Sequence, residues 1–228
     1  MSVLIDSLAI LLNFRKLKKG DPTLWERSIR KFEKNDRKNT PRNNIILFTG
    51  SSSIVYWKNL EEDMNPLAVL NRGFGGSQIP DVTHYIDRIV VPYEPKAIVF
   101  YAGENDITGL LISKKKTAEE VATSYRQFCD NVFTAYKSIP IYFISIKPPK
   151  RRKKFWPEME KANKLIEKYC SFNENLHYIN IVDPMLHSEG TVNPDLFKWD
   201  GIHLNKKGYE IWKAVIKPIL IRDFPSHD

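Results

Sequence analysis

Three consecutive serines follow a glycine at Gly50-Ser51-Ser52-Ser53, and much later in the chain a histidine, His203, stands three residues after Asp200. A serine hydroxyl is a weak nucleophile near neutral pH and needs a base that takes its proton and later returns it. Histidine titrates in the range for that exchange. A carboxylate on its other ring nitrogen fixes the tautomer and stabilises the imidazolium, and Asp200 can reach back to that nitrogen across a short turn. The chemistry also asks for donors aimed at the oxyanion of a tetrahedral intermediate. The Ser52 backbone N–H, a glycine N–H from the stretch Gly73-Phe74-Gly75-Gly76 and the Asn105 side-chain amide can supply them. Taken alone, the serine run reads first as a turn with a helix N-cap; the nucleophile reading depends on its company.

That company must come from the fold. Ile45 to Thr49 is a continuous apolar run, which predicts a strand covered on both faces, with Gly50 taking the sharp turn after it. Further strands are predicted at 68–71, 97–101, 141–146 and 177–182. Helical periodicity falls between them: after the serines to about Leu60, from Pro80 through Ile89, from a Thr117/Glu120 capping box, through Met159 to Tyr169, and from Tyr209 to Ile219. Alternating strands and helices imply right-handed crossovers and a three-layer α/β/α sandwich on a flavodoxin-like five-stranded parallel sheet. In such a sheet the carboxyl ends of the strands share one crevice. Gly50 to Ser53, Gly73 to Ser77 and Gly103 to Asp106 follow the first three strands and become neighbours there, with Asp200 and His203 ahead of the last helix. A single domain is expected, with 45–228 as its body and 1–44 as an N-terminal helical extension packed on it.

Gly50-Ser51-Ser52, Asn71-Arg72-Gly73-Phe74-Gly75-Gly76, Gly103-Glu104-Asn105-Asp106 and Asp200-Gly201-Ile202-His203 resemble, in order, the four sequence blocks of the SGNH, or GDSL, hydrolases. The likeness runs from about Ile45 to Leu220 and is to the branch that includes the platelet-activating-factor acetylhydrolase catalytic subunits. It implies an esterase or lipase working through an acyl-serine without metal or organic cofactor, on lipid, carbohydrate or small-molecule esters. Carried over by motif, the nucleophile is Ser52, the base His203 and its partner Asp200, and the oxyanion donors are Ser52, Gly76 and Asn105. Ser51 and Ser77 stand where the family usually has aspartate.

The remaining residues are read more plainly. Cys129 and Cys170 fall on apolar helix faces as buried reduced thiols. His84, His177, His187 and His227 have no acidic partner within a block, Asp183 is worse placed than Asp200, and no residue cluster has metal-ligand spacing. Glu104 and Asp106, which flank Asn105, read first as turn residues, with a role supporting the site from behind as the alternative. The net charge of +8 is concentrated partly in Lys114-Lys115-Lys116 and Lys150-Arg151-Arg152-Lys153-Lys154. These runs read as solvated loops, with a basic rim for anionic esters or a membrane surface as the competing reading. The competing function is a non-catalytic protein using that rim for anionic lipid or nucleic acid, although no nucleic-acid-binding motif is present. Leu4, Leu8, Leu11 and Leu12 share one face of a predicted N-terminal helix, for packing on the domain, on a second copy in a homodimer, or on a membrane surface through residues 1–19. The order of apolar and basic residues there is the reverse of a secretory signal, so a cytoplasmic location is expected.

Overall fold

The computed structural model describes residues 20–109 and 113–225. The amphipathic 3–14 segment and His227 lie outside them. Among the described residues five strands form an all-parallel sheet: β1 (Ile46–Gly50), β2 (Val69–Gly73), β3 (Ala97–Tyr101), β4 (Ile141–Ile144) and β5 (Leu176–Ile179), in the order β2-β1-β3-β4-β5. The architecture is the expected three-layer sandwich. Register brings the carboxyl ends of the central strands level, with Gly50 opposite both Gly73 and Tyr101.

Successive strand residues point to opposite faces, and both faces are covered. On one face Leu47, Ile98, Phe100, Ile141 and Phe143 pack with α1 (Glu26–Asp36), α4 (Ile79–His84), α5 (Ile86–Ile89), α7 (Ala118–Ala135) and α8 (Trp156–Cys170). On the other, Ile46, Phe48, Val99, Tyr101, Tyr142 and Ile144 pack with α2 (Ser52–Val55), α3 (Leu60–Met64) and α9 (Lys206–Asp223). Short α6 (Glu104–Thr108) sits at the mouth. The expected capping box of α7 is present, with the Thr117 hydroxyl accepting from Glu120 N–H and the Glu120 carboxylate accepting from Thr117 N–H. Cys129 and Cys170 are free thiols buried in the first core.

Two predicted helices are each divided. The one after the serines breaks at Trp57-Lys58-Asn59 into α2 and α3, where the Trp57 indole reaches forward to donate to Asp63 at 2.7 Å. The one from Pro80 breaks at Tyr85, whose hydroxyl donates to the Pro22 carbonyl at 2.9 Å, yet Val82, Tyr85, Ile86 and Ile89 all remain buried. The segment ahead of β1 is fastened at several points. Ile29 is in the core, Arg88 pairs with Glu26 at 2.8 Å and Glu33 at 2.7 Å, and Asp36 pairs with Arg72 of β2. Among the described residues no helix is long and apolar enough to cross a membrane.

Candidate active site

Gly50 closes β1 at φ +130°, and a methyl group there would stand 1.9 Å from the Tyr101 carbonyl oxygen. Only glycine lets β1 and β3 run side by side to their ends and then turn. The turn delivers three serines into three settings. Ser51 occupies the N-cap position of α2 but makes no side-chain capping bond, and it is buried. Ser53 is 1% exposed and faces the core, with its carbonyl accepting from the Tyr209 hydroxyl at 2.8 Å. Ser52, between them at the first helical position, is the partly exposed one. Its N–H is among those an α-helix start leaves without an intrahelical acceptor.

The Ser52 hydroxyl lies 3.1 Å from His203 Nε2, and His203 Nδ1 lies 2.8 Å from Asp200 Oδ2. The other Asp200 oxygen accepts from the backbone N–H groups of Ile202 at 2.8 Å and His203 at 2.9 Å. Burial pushes the Asp200 carboxyl up, but the His203 backbone N–H, the His203 ring and the Ile202 N–H outweigh it and hold the carboxyl at about 2. Asp200 is therefore an anion throughout the neutral range, facing the ring nitrogen that must carry a proton. Tyr56 meets the imidazole edge-on, with ring centroids 4.7 Å apart, and adds a lateral wall that sequence reasoning missed. The available signal was its spacing, four residues after Ser52, which one helical turn brings to the same side, with Tyr56 N–H bonded to the Ser52 carbonyl at 2.9 Å.

The second and third clusters arrive at the same edge. A methyl group on Gly75 would lie 3.9 Å from Ser52 Cβ, so the glycine stretch passes directly over the serine. The Asn105 amide donates to the Ser77 carbonyl at 3.1 Å, which ties the third cluster to the residue after Gly76 and leaves a second amide hydrogen. Asn71 braces the same region, donating to the Ile54 carbonyl at 2.6 Å and accepting from Gly73 N–H at 3.0 Å. Ser77, standing where the resemblance expects aspartate, is fully buried and donates to the Phe74 carbonyl at 2.9 Å.

Two expectations are corrected. Glu104 and Asp106 are buried ion-pair partners rather than turn residues. Glu104 meets Lys147 Nζ and, at 3.0 Å, Arg152; Lys147 is 1% exposed and its ammonium also lies 3.2 Å from the Tyr101 hydroxyl. Burial alone would raise the Glu104 carboxyl, but Lys147 and Arg152 bring it below its ordinary value. Asp106 accepts from Ile79 N–H at 3.1 Å and pairs with Lys116 at 2.7 Å. The basic runs are accordingly not uniformly solvated: Lys116 and Arg152 turn inward onto these two carboxylates, while Lys150, Lys153 and Lys154 stay exposed. Lys147 was not singled out by sequence at all. Of the histidines set aside, His177 is stacked on Tyr142 at 4.5 Å and His84 is edge-on to Tyr85 at 4.7 Å. Asp183 accepts from Asn180 at 3.0 Å and does not approach His203. Among the described residues no group of three His, Cys, Asp or Glu could hold a metal ion.

Asp81, at the start of α4 after the glycine stretch, accepts from Gln78 N–H at 2.7 Å. Burial pushes its carboxyl up to about 7, with Asp106 adding to the rise and the Gln78 bond and Lys116 opposing it. Between its ordinary value of 3.8 and about 7 the folded chain holds a proton the unfolded chain has lost, so this group makes stability fall as pH rises through that window. Asp81→Asn, which keeps an acceptor for Gln78, is expected to flatten that fall in urea-unfolding free energies measured from pH 4 to pH 8. An unchanged slope would contradict it.

Comparison with known proteins bears on the family and the fold. Residues 49–211 match the model of the GDSL-like Lipase/Acylhydrolase family. Three solved structures share the fold. A Streptococcus pneumonia protein provisionally described as a platelet activating factor is 20% identical with a TM-score of 0.74, covering 94% of this chain and 99% of that one. A GDSL-like lipase from Bacteroides thetaiotaomicron is 20% identical at a TM-score of 0.72, over 86% and 98%. A carbohydrate esterase family 3 protein from Talaromyces cellulolyticus is 17% identical at 0.61, over 78% and 97%. Among curated proteins, an N-acylneuraminate cytidylyltransferase of Escherichia coli O18:K1:H7 is 24% identical over 181 residues. The match takes in 77% of this chain but 40% of that protein, so the chain spans well under half the length of the curated relative.

Proposed function

From the premise that this chain belongs to the GDSL-like lipase/acylhydrolase family, we propose that it is a serine esterase whose acyl group passes through Ser52. The observation that carries the reading is the continuous relay from the Ser52 hydroxyl to His203 at 3.1 Å and from His203 to Asp200 at 2.8 Å. Ser52 Oγ attacks the ester carbonyl as its proton moves to His203 Nε2, and Asp200 stabilises the imidazolium through Nδ1–H. The oxyanion is met by the N–H groups of Ser52 and Gly76 and the free amide hydrogen of Asn105. Collapse expels the alcohol with the proton from Nε2. Water, deprotonated by the same nitrogen, then attacks the acyl-Ser52 ester, and the acid leaves with the hydroxyl restored. A fluorophosphonate probe tests this reading: mass spectrometry is expected to map the adduct to Ser52, and an adduct elsewhere, or none, would contradict it.

One observation favours a refinement of the substrate. A cavity of about 710 Å³ is lined by Pro148, Pro149, Lys150, Lys153, Trp156 and His187 among others, with no acidic residue among the described residues of its wall. It adjoins the Asp200 turn, because Arg151 N–H donates to the Gly201 carbonyl at 3.1 Å. Esters carrying an anionic group suit it. Lys150→Ala with Lys153→Ala is expected to raise KM for a carboxylated ester roughly 3–10-fold and leave a neutral ester unchanged, as expected for loss of local positive potential. Equal effects on both esters would remove the refinement.

A further inference from the structure

We infer that Trp25, in the segment ahead of β1, is a positioning residue for the oxyanion site: its indole N–H sets the plane of the Gly75–Gly76 peptide. The inference rests on the reading of Gly76 as an oxyanion donor. Trp25 Nε1–H donates to the Gly75 carbonyl at 2.7 Å. That carbonyl and the Gly76 N–H belong to one peptide unit, which is trans, so they point in opposite directions. Holding the oxygen therefore aims the hydrogen.

The hold matters because of what surrounds it. On one side Phe74 N–H is bonded to the Gly50 carbonyl at 2.9 Å; on the other the Ser77 carbonyl accepts from Asn105 at 3.1 Å. Between these fixed ends lie two consecutive glycines, Gly76 at φ +79°, and a Gly-Gly peptide can rotate at little steric cost. Among the described residues Trp25 supplies the bond to this peptide's oxygen, while no acceptor takes the Gly76 N–H. The donor is itself anchored. The Trp25 ring packs at 6.2 Å on buried Phe74, and the 3-10 turn Pro22–Trp25 is fixed by the Tyr85 bond to Pro22 and by Arg88 on Glu26. The N-terminal segment thus completes the site without contacting the reacting atoms.

The test is Trp25→Phe, which keeps a packing ring and removes the donor. Rates are compared on p-nitrophenyl acetate and its thionoester, whose sulfur is a poor acceptor and draws little from an oxyanion site. Complete loss of such a donor costs about 10²–10³ in kcat; a freed but present Gly76 N–H is expected to cost about tenfold, with KM changed less than about twofold. The oxoester to thionoester rate ratio is expected to fall by the same factor. That ratio is taken on one enzyme sample, so it is independent of the folded fraction. Tyr85→Phe, which weakens the anchor of the Trp25 turn but spares the Gly75 bond, is expected to lower the ratio by a smaller factor than Trp25→Phe. A Trp25→Phe enzyme with the wild-type ratio overturns the inference whatever its kcat or melting temperature. A wild type that shows no Ser52 adduct with a fluorophosphonate overturns the underlying reading, and the inference with it.

Discussion

Ser52→Ala is expected to lower kcat for ester hydrolysis by at least about 10⁴-fold, the scale seen when a nucleophile is removed from a serine-histidine relay, while Ser53→Ala retains most of the activity. The three serines are adjacent, so the distinction lies in their environments. Ser52 is the partly exposed serine and has a base at 3.1 Å. Ser53 is 1% exposed, and the turn uses its carbonyl rather than its hydroxyl. Removing the Ser53 hydroxyl takes away a group for which no hydrogen bond is recorded among the described residues, so the expected stability change is small. Ser52→Ala deletes one surface-facing oxygen and should leave the melting temperature near wild type, which separates loss of chemistry from loss of fold. An inert Ser53→Ala beside an active Ser52→Ala would overturn the assignment.

Lys147→Met is expected to destabilise the chain by about 3–5 kcal/mol, because it leaves the Glu104 carboxylate buried with its main counter-charge gone. Lys147 is 1% exposed and Glu104 5%, and the remaining partner, Arg152, is the more solvent-facing of the two cations. The double variant Lys147→Met with Glu104→Gln is expected to recover much of the loss, since no uncompensated charge is then buried; urea midpoints measure both. A double variant no more stable than the single one would show that packing, not charge, holds this region. The pH behaviour follows from the same pair. The Glu104 carboxyl is held below 4.5, so its contribution is present above that value and fades as acid protonates the folded carboxylate. Lys147 is held above 10.5, despite burial, by Glu104 first, so its contribution is present below that value and fades only in stronger base. Across the neutral range the pair is intact.

The sheet was legible because each strand is a short apolar run ending in glycine or polar residues, and helices that cover both faces through right-handed crossovers fit the doubly wound strand order. That Ser52, Asp200 and His203 would meet was legible because chemistry restricts residue type, and the four blocks kept their order. Helix breaks were not: nothing local in Trp57-Lys58-Asn59 announces that an indole will bond a carboxylate six residues on. The burial of Glu104 was hidden for a related reason. Its partner Lys147 lies 43 residues away, and an acid beside Asn105 in a turn is ordinary until the lysine is placed. A lysine directly following the apolar run Ile141 to Ile146 was the available signal, since a cation entering a buried strand end needs a counter-charge. The bond from Trp25 to Gly75 spans 50 residues and joins an aromatic to a backbone atom, a pairing that leaves no mark in composition.

Helix α9 grips the site at two points. His203 precedes its N-cap, Asn205, whose side chain accepts from Gly208 N–H at 3.2 Å. One turn in, Tyr209 holds the Ser53 carbonyl and stacks on Trp57 at 5.3 Å, with Trp212 closing the aromatic group behind. The proposed base and nucleophile, His203 and Ser52, 151 residues apart in sequence, are therefore both tied to this helix. A rigid displacement of that helix would shift His203 and, through the Tyr209 bond, the turn that carries Ser52 in the same direction, so the proposed proton path would change less in length than either of its ends changes in place.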